Sequence, residues 1–412
     1  MGTVLQLGLG TVYAWSYFQN PLVKAYNWSN AQTAWAFSLA ICFLGLSAAA
    51  GGVLLPKFGP RKLAVTGGLC FGTGYLLAAL ALHYQSLALL YIGYGVIGGC
   101  GLGLGYVTPV ATAAKWFPDK KGFITGMVVM GFGLGALLMS KVVAPFLMEY
   151  TKGNLVHTFA YCGAIFYVLT ITAASFLKNP PAGYVPAGYT PPQTSGAGQK
   201  TDGPEITVGD CLCSGKFIMM WLVFFCNITA GIAIIGFQSP MMQDLWKATD
   251  PTLSTVMLAS YGATLIAITS LFNGVGRFFW GSMSDKIGRV AAFRLMLGTQ
   301  ILIFGLLLIN TNPWVFGLLL CYVLLCYGGG FGTMPSFVLD VFGAKQMAVV
   351  YGTILTAWSA AGIVGPQIVA IIKDRFPQQA STYSFMMGAA FLIVGFLVTL
   401  LLNNKKLEKK SA

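Results

Sequence analysis

Leu271–Arg289 reads LFNGVGRFFWGSMSDKIGR. It continues an apolar run that begins near Leu253 and contains one amide, Asn273, and one permanent cation, Arg277. The run ends in a charged cluster of Asp285, Lys286 and Arg289. A guanidinium does not deprotonate in a protein. Holding one at the centre of a membrane helix costs at least about 2.5–3.5 kcal/mol on insertion scales. An arginine tolerated there is expected to have a function, and the rest of the chain reads as its housing.

That the housing is a membrane protein follows from composition. Of 412 residues, 56% are hydrophobic and 8% charged, with mean hydropathy +0.74, whereas soluble domains carry about 25% charged residues. The apolar run at the N-terminus reads as a membrane span and not as a removed signal peptide, since no small-residue cleavage site follows it. Seven of the nine cysteines lie inside apolar runs, and Cys211 and Cys213 form a lone C-L-C. That pattern implies neither a disulfide framework nor a metal site, and no metal or cofactor is expected.

A membrane span needs about 20 apolar residues. Twelve candidates follow, at 2–24, 31–56, 62–83, 86–116, 119–148, 156–179, 217–246, 253–282, 289–310, 313–342, 346–375 and 380–403. A polar interval rich in Pro and Gly, PPAGYVPAGYTPPQTSGAGQKTDGPE, separates the sixth from the seventh and reads as a linker. The expected organisation is an all-α membrane protein of two six-helix bundles, residues 1–179 and 217–412, joined by a cytoplasmic linker over 180–216, with a short basic tail. With the linker and both termini inside, seventeen Lys and Arg fall on the cytoplasmic side and six outside, and Arg277 completes the 24. This bias is the topology rule for membrane proteins. It accounts for the net charge of +13 with no nucleic-acid partner. A multi-pass protein of the cell (inner or plasma) membrane, working as a monomer, is expected.

The halves also resemble each other. GVLLPKFGPR (Gly52–Arg61) and GSMSDKIGR (Gly281–Arg289) align Lys57 with Lys286 and Gly59 with Gly288. TPVATAAKWF (Thr108–Phe117) and MPSFVLDVF (Met334–Phe342) align Pro109 with Pro335, and at the same shift Gly126 meets Gly352. Duplicated halves related by an axis along the membrane normal form a transporter architecture, with the site at mid-membrane between them.

Arg277 is the centre of the expected site. It lies eight residues from Asp285, about 12 Å along a helix, well inside a hydrocarbon core of about 30 Å. Asn273 is one turn earlier on the same face. The guanidinium fork matches a carboxylate bidentately, and no acidic residue falls inside any candidate span, so a substrate anion is the expected partner. A structural arginine satisfied by buried oxygens is the alternative. Tyr13, Trp15, Tyr106, Phe132, Tyr327, Phe331 and Trp358 supply aromatic surface in the spans; packing is the alternative for each. GVIGGCGLG (Gly95–Gly103) and GFGLG (Gly131–Gly135) point to close helix contact. They are not nucleotide loops, because no Walker lysine and hydroxyl accompany them. No Ser-His-Asp set is present, and His83 and His157 fall near predicted outer ends, so an enzyme is not expected.

GSMSDKIGR resembles the signature between the eighth and ninth spans of the major facilitator superfamily, with Gly281, Asp285, Lys286, Gly288 and Arg289 as its gating motif. The first-half copy departs from it, with Pro56 at the usual acidic position and Pro60 at a usual basic one. FNGVGRFFWG, KWFPDKKG and YAWSYFQNPL resemble the oxalate–formate antiporter and monocarboxylate-transporter branch, and the likeness to bacterial lactate-type carriers covers essentially all twelve spans. The resemblance implies that Arg277 binds the carboxylate and that Tyr13, Tyr106, Tyr327 and Phe331 line the site. Trp358 stands where the oxalate carrier has a second cation, which suits a monovalent anion. Asn273 stands where animal monocarboxylate carriers place an Asp thought to take the proton. The expected function is secondary transport of small monocarboxylates such as L-lactate and pyruvate by alternating access, coupled to a proton. An oxalate–formate type anion exchanger and a transporter-like sensor are the alternatives.

Overall fold

The computed structural model describes residues 1–117, 121–181, 184, 186, 207–343 and 346–407. Most of the linker, Lys120, Lys200, Lys345 and the end of the basic tail lie outside the described residues. So does part of the KWFPDKKG stretch.

Twelve helical segments run in sequence. The first, α1, is composite: Gly2–Leu9, a 3₁₀ turn at Gly10–Ala14, and Trp15–Tyr26. Then come α2 (Asn30–Phe58), α3 (Pro60–His83), α4 (Leu87–Trp116, with a π stretch at Tyr91–Gly98), α5 (Lys121–Tyr150, with a π stretch at Met139–Val143) and α6 (Leu155–Ser175). A short helix, Val208–Leu212, precedes α7 (Gly215–Thr249), α8 (Thr255–Ile287), α9 (Arg289–Ile309) and α10 (Pro313–Phe342). The last two are α11, made of Met347–Ile354 and Thr356–Arg375, and α12 (Ala380–Leu401). Among the described residues, eleven helices are long and apolar enough to cross a membrane. The segment outside that set is α1, expected as one continuous span and broken instead at Gly10. There it crosses α5 so closely that a Cβ on Gly10 would lie 2.0 Å from the Phe132 carbonyl oxygen.

The ends are set by local chemistry. Ser29 and Gln32 form a reciprocal capping box at the start of α2, and Asn154, Ser214, Ser254 and Asn312 cap α6, α7, α8 and α10. Such caps satisfy backbone N–H groups that a helix leaves open. Gly59 (φ 75°, ψ 165°) turns α2 into α3, and Gly288 (φ 89°, ψ 150°) turns α8 into α9. The two glycines aligned by sequence thus make the same backbone turn. A second internal repeat, unread in the sequence, emerges at Phe18–Pro21 (FQNP) and Phe237–Pro240 (FQSP). These stretches sit in α1 and α7, which pack together, and Asn20 Nδ2 donates to Gln243 Oε1 at 3.2 Å. Gln243 in turn donates to Ser239 Oγ at 3.0 Å.

Helices before the linker meet those after it along three seams: α1 with α7, α2 with α11, and α5 with α8. Along α2–α11, Ser359 Oγ donates to the Cys42 carbonyl at 2.8 Å and Gln367 Nε2 to Ser38 Oγ at 3.3 Å. On the face away from the linker, Asp374 at the end of α11 accepts from Asn30 N, Asn30 Nδ2 and Ala31 N at 3.0, 2.9 and 2.9 Å. A carboxylate from one set of helices thereby caps the first turn of a helix in the other, where the dipole favours it. Beside it, Lys373 pairs with Asp244 at 2.6 Å.

On the linker face, the signature cluster is an ion-pair network. Arg289 reaches Asp285 Oδ1 at 2.6 Å and Asp340 Oδ2 at 2.9 Å, tying the α8–α9 turn to α10. Lys286 is exposed, and Gly281 passes Gly332 of α10. Gly288 occupies a region of backbone space essentially reserved for glycine. Gly288→Ala is expected to destabilise the protein by about 1–3 kcal/mol, read as a fall in the thermal unfolding midpoint in detergent. An unchanged midpoint would show that this turn is not strained by a Cβ.

Candidate functional site

Arg277 is 1% exposed and sits midway between the two sets of helices. The i, i+4 spacing on α8 sets Asn273 Oδ1 at 3.4 Å from its Nε. Across the interface, Nη1 donates to the Tyr106 hydroxyl of α4 at 3.4 Å. The guanidinium carbon lies 4.9 Å from the Phe331 ring centre and 5.8 Å from that of Phe132, within range of cation–π attraction. Nη2 is buried with no hydrogen-bond partner. Among the described residues, no carboxylate pairs with Arg277.

The aromatic residues converge on this group. Trp358 of α11 is fully buried, with its ring 4.6 Å from Phe331, 5.4 Å from Tyr106, 5.9 Å from Phe132 and 6.4 Å from Tyr13. Tyr13 and Tyr327, from α1 and α10, share a hydrogen bond of 2.7 Å between hydroxyls. All eight expected residues therefore form one cluster drawn from six helices, three from each side of the linker. Trp15, two residues from Tyr13 in sequence, is elsewhere: its Nε1 donates to Gln19 and its ring packs on Tyr94. His83 and His157 are exposed at the face away from the linker.

The tight packing has a glycine basis. A Cβ on Gly328 would lie 2.1 Å from the Asn273 carbonyl oxygen, one on Gly332 would lie 2.0 Å from that of Arg277, and one on Gly276 would lie 2.1 Å from that of Leu325. Thus α10 runs backbone to backbone behind Arg277, and the side chain is turned across the interface toward Tyr106. The GGGFG stretch at 328–332 was legible in the sequence but stands inside an apolar run with no charge to mark it. Gln6 is a further unread member. Its Nε2 donates to the Tyr106 carbonyl at 2.8 Å, fixing α4 against α1.

The structure packs Arg277 closely. The nearest opening holds about 10 Å³ and is lined by Tyr13, Gln238, Thr269, Ser270 and Asn273 among others, room for one water. Thr269 donates to Gln238 Oε1 at 2.7 Å on its wall. The rings and the Tyr13–Tyr327 bond close the space that a ligand carboxylate would need. Chemically, the arrangement offers one fixed positive charge, one free N–H edge, hydroxyls and an amide, and apolar ring surface. That set suits recognition of a small anion.

Residues 2–366 match the Major Facilitator Superfamily. The oxalate:formate antiporter of Oxalobacter formigenes is 27% identical over 376 residues, covering 89% of this chain and 82% of its own. Apicoplast pyruvate carrier 1 of Toxoplasma gondii is 28% identical over 384 residues, covering 80% and 68%. The crystal structure of a bacterial homologue of the human lysosomal transporter Spinster, inward-facing and unoccupied, superposes with a TM-score of 0.69. It shares 14% identity and covers 97% of this chain and 95% of that one, a likeness of fold.

Trp358 joins both sets of helices through four ring contacts, so its removal leaves a large void. Trp358→Ala is expected to lose about 3–5 kcal/mol of stability, while Trp358→Phe retains most of it. Thermal unfolding of the two variants in one detergent checks this, and equal midpoints would mean the ring is not part of the packed core.

Proposed function

Because the chain belongs to the Major Facilitator Superfamily, a family of membrane transporters, we propose that it is a secondary transporter of small monocarboxylate anions such as L-lactate and pyruvate. The observation that carries this reading is the buried guanidinium with a free Nη2 and no carboxylate partner among the described residues. An ion taken out of water without a counter-ion is costly, and a substrate carboxylate supplies that counter-ion. Arg277 binds the carboxylate, and Asn273 holds the guanidinium through its Oδ1. Tyr106, Tyr13 and Tyr327 present hydroxyls, and Phe132, Phe331 and Trp358 pack the apolar end. With Trp358 as a neutral neighbour, the site carries one positive charge, which suits a monoanion.

In this reading, residues 1–179 and 217–412 are two bodies that rock about the site, joined by the segment 180–216. The Asp374 cap on α2 crosses between the two bodies and serves as a contact broken and remade in the cycle, whereas the Arg289–Asp285–Asp340 network on the opposite face lies within 217–412 and holds that body together. The excess of Lys and Arg on the linker face puts that face and both termini in the cytoplasm, with the protein in the inner or plasma membrane as a monomer. Proton symport lowers the charge moved with each substrate. A second reading, anion exchange, is favoured by one observation: the side chains in contact with Arg277 are Asn273, Tyr106, Phe132 and Phe331, and among the described residues no carboxylate pairs with it. The oxalate:formate antiporter of Oxalobacter formigenes is named for such an exchange.

Uptake of labelled L-lactate into proteoliposomes tests the proposal. Arg277→Ala is expected to reduce uptake at least a hundredfold. Arg277→Lys is expected to restore little of it, because an ammonium lacks the planar fork. Normal accumulation by Arg277→Ala would overturn the central role of Arg277. Stimulation by an inward proton gradient in otherwise empty vesicles supports symport. Uptake that instead needs lactate loaded inside supports exchange.

A further inference from the structure

The seam between α5 and α8 is built as a ladder. On α5, Gly133, Leu137 and Lys141 recur every four residues; they face Gly274, Ser270 and Thr264 on α8. A Cβ on Gly133 would lie 2.7 Å from Gly274 Cα. Ser270 Oγ donates to the Gly133 carbonyl at 2.5 Å and accepts from Leu137 N at 3.1 Å. The last rung is Lys141 Nζ donating to Thr264 Oγ1 at 2.6 Å.

That last rung is chemically odd. Lys141 lies nine residues before the end of α5 at Tyr150, about 13 Å along the helix axis, on the face away from the linker. Among the described residues it pairs with no carboxylate. A neutral Gln or Ser would make the same bond to Thr264 without bringing a charge to this depth. Lys141 is also one of only six cations on a face that the charge pattern leaves sparse. Lys141 is an exposed residue, so its ammonium remains available when Thr264 moves away. Thr264 stands thirteen residues from Arg277 on the same helix, about 20 Å, with Ser270 and Asn273 on the seam between them.

We propose that Lys141 is a capture residue for the incoming anion, a second carboxylate site at the mouth of the path to Arg277. This rests on the transport reading above. When α5 and α8 part on this face, Nζ exchanges Thr264 Oγ1 for a substrate carboxylate oxygen, holding it by one charge-assisted hydrogen bond. The anion then passes along Ser270 and Asn273 to the guanidinium, and closure returns Nζ to Thr264. A single mobile ammonium, unlike the fork of Arg277, releases the ligand easily.

The test is L-lactate uptake by intact cells of a host without its own lactate carriers, and by inverted membrane vesicles from them. Lys141→Gln is expected to raise KM three- to tenfold in only one of the two, the one presenting the face away from the linker, with kcat within twofold. Raising ionic strength screens exposed charges, so the fall of kcat/KM with salt is expected to be shallower in Lys141→Gln. Lys141→Arg restores KM, and Thr264→Val, which removes the rung but keeps the cation, leaves it normal. An unchanged KM in Lys141→Gln, an equal rise in both preparations, or the same defect in Thr264→Val would overturn the proposal. Arg277→Ala measured alongside separates the two claims. Transport surviving that change sinks the reading of the central site. Its loss together with a silent Lys141→Gln sinks only the capture site.

Discussion

A guanidinium buried without a carboxylate is the constraint around which the rest of this molecule is arranged. In a medium of low dielectric, an isolated charge is costly. The protein offsets part of that cost with weak partners: a long hydrogen bond to Asn273, another to Tyr106, and the faces of Phe331 and Phe132. None of these is a counter-ion. In the structure, rings and hydroxyls surround the charge, and one guanidinium nitrogen is left without a partner. A carboxylate in place of Asn273 would have supplied Arg277 with a counter-ion one helical turn away.

Placing that charge between two sets of helices demands close backbone approach, and glycine supplies it. Gly328 and Gly332 let α10 lie against the α8 backbone on either side of Arg277, while Gly10, Gly133 and Gly135 bring α1, α5 and α8 into contact. Small residues are also what allow helices to approach and separate in a bilayer, where no hydrophobic force favours one helix surface over lipid.

The two faces are secured differently. On the linker face the ions of the Gly281–Arg289 signature bind α8, α9 and α10 to one another, and the Pro56 copy in the first half carries no equivalent acid. On the other face the contacts cross between halves: Asp374 on the α2 terminus, Asn20 on Gln243 and Lys141 on Thr264. Charge–dipole and neutral hydrogen bonds are individually modest. A face closed by several of them separates without abandoning a buried ion pair.

Much of the site was legible in the chain because a membrane makes polar residues conspicuous. Arg277 and Asn273 stand out in a run whose other polar side chains are hydroxyls, and the aromatic set around them follows from its place in the spans and from the resemblance. The number of segments and the matched turns at Gly59 and Gly288 likewise follow from hydropathy and short repeats, which are properties of neighbouring residues. What the tertiary structure alone decided is which distant atoms meet. In α1 the 3₁₀ turn at Gly10–Ala14 begins at a glycine that passes the Phe132 carbonyl of another helix, a contact that neighbouring residues do not reveal. Trp15 leaves the site that Tyr13 enters because two residues of rotation on a helix, about 200°, turn its side chain to the opposite face. Asp374 caps α2 across 344 residues of sequence, and Lys141 finds Thr264 across 123. Hydropathy reports the solvent of each residue, and only packing between helices selects its partner.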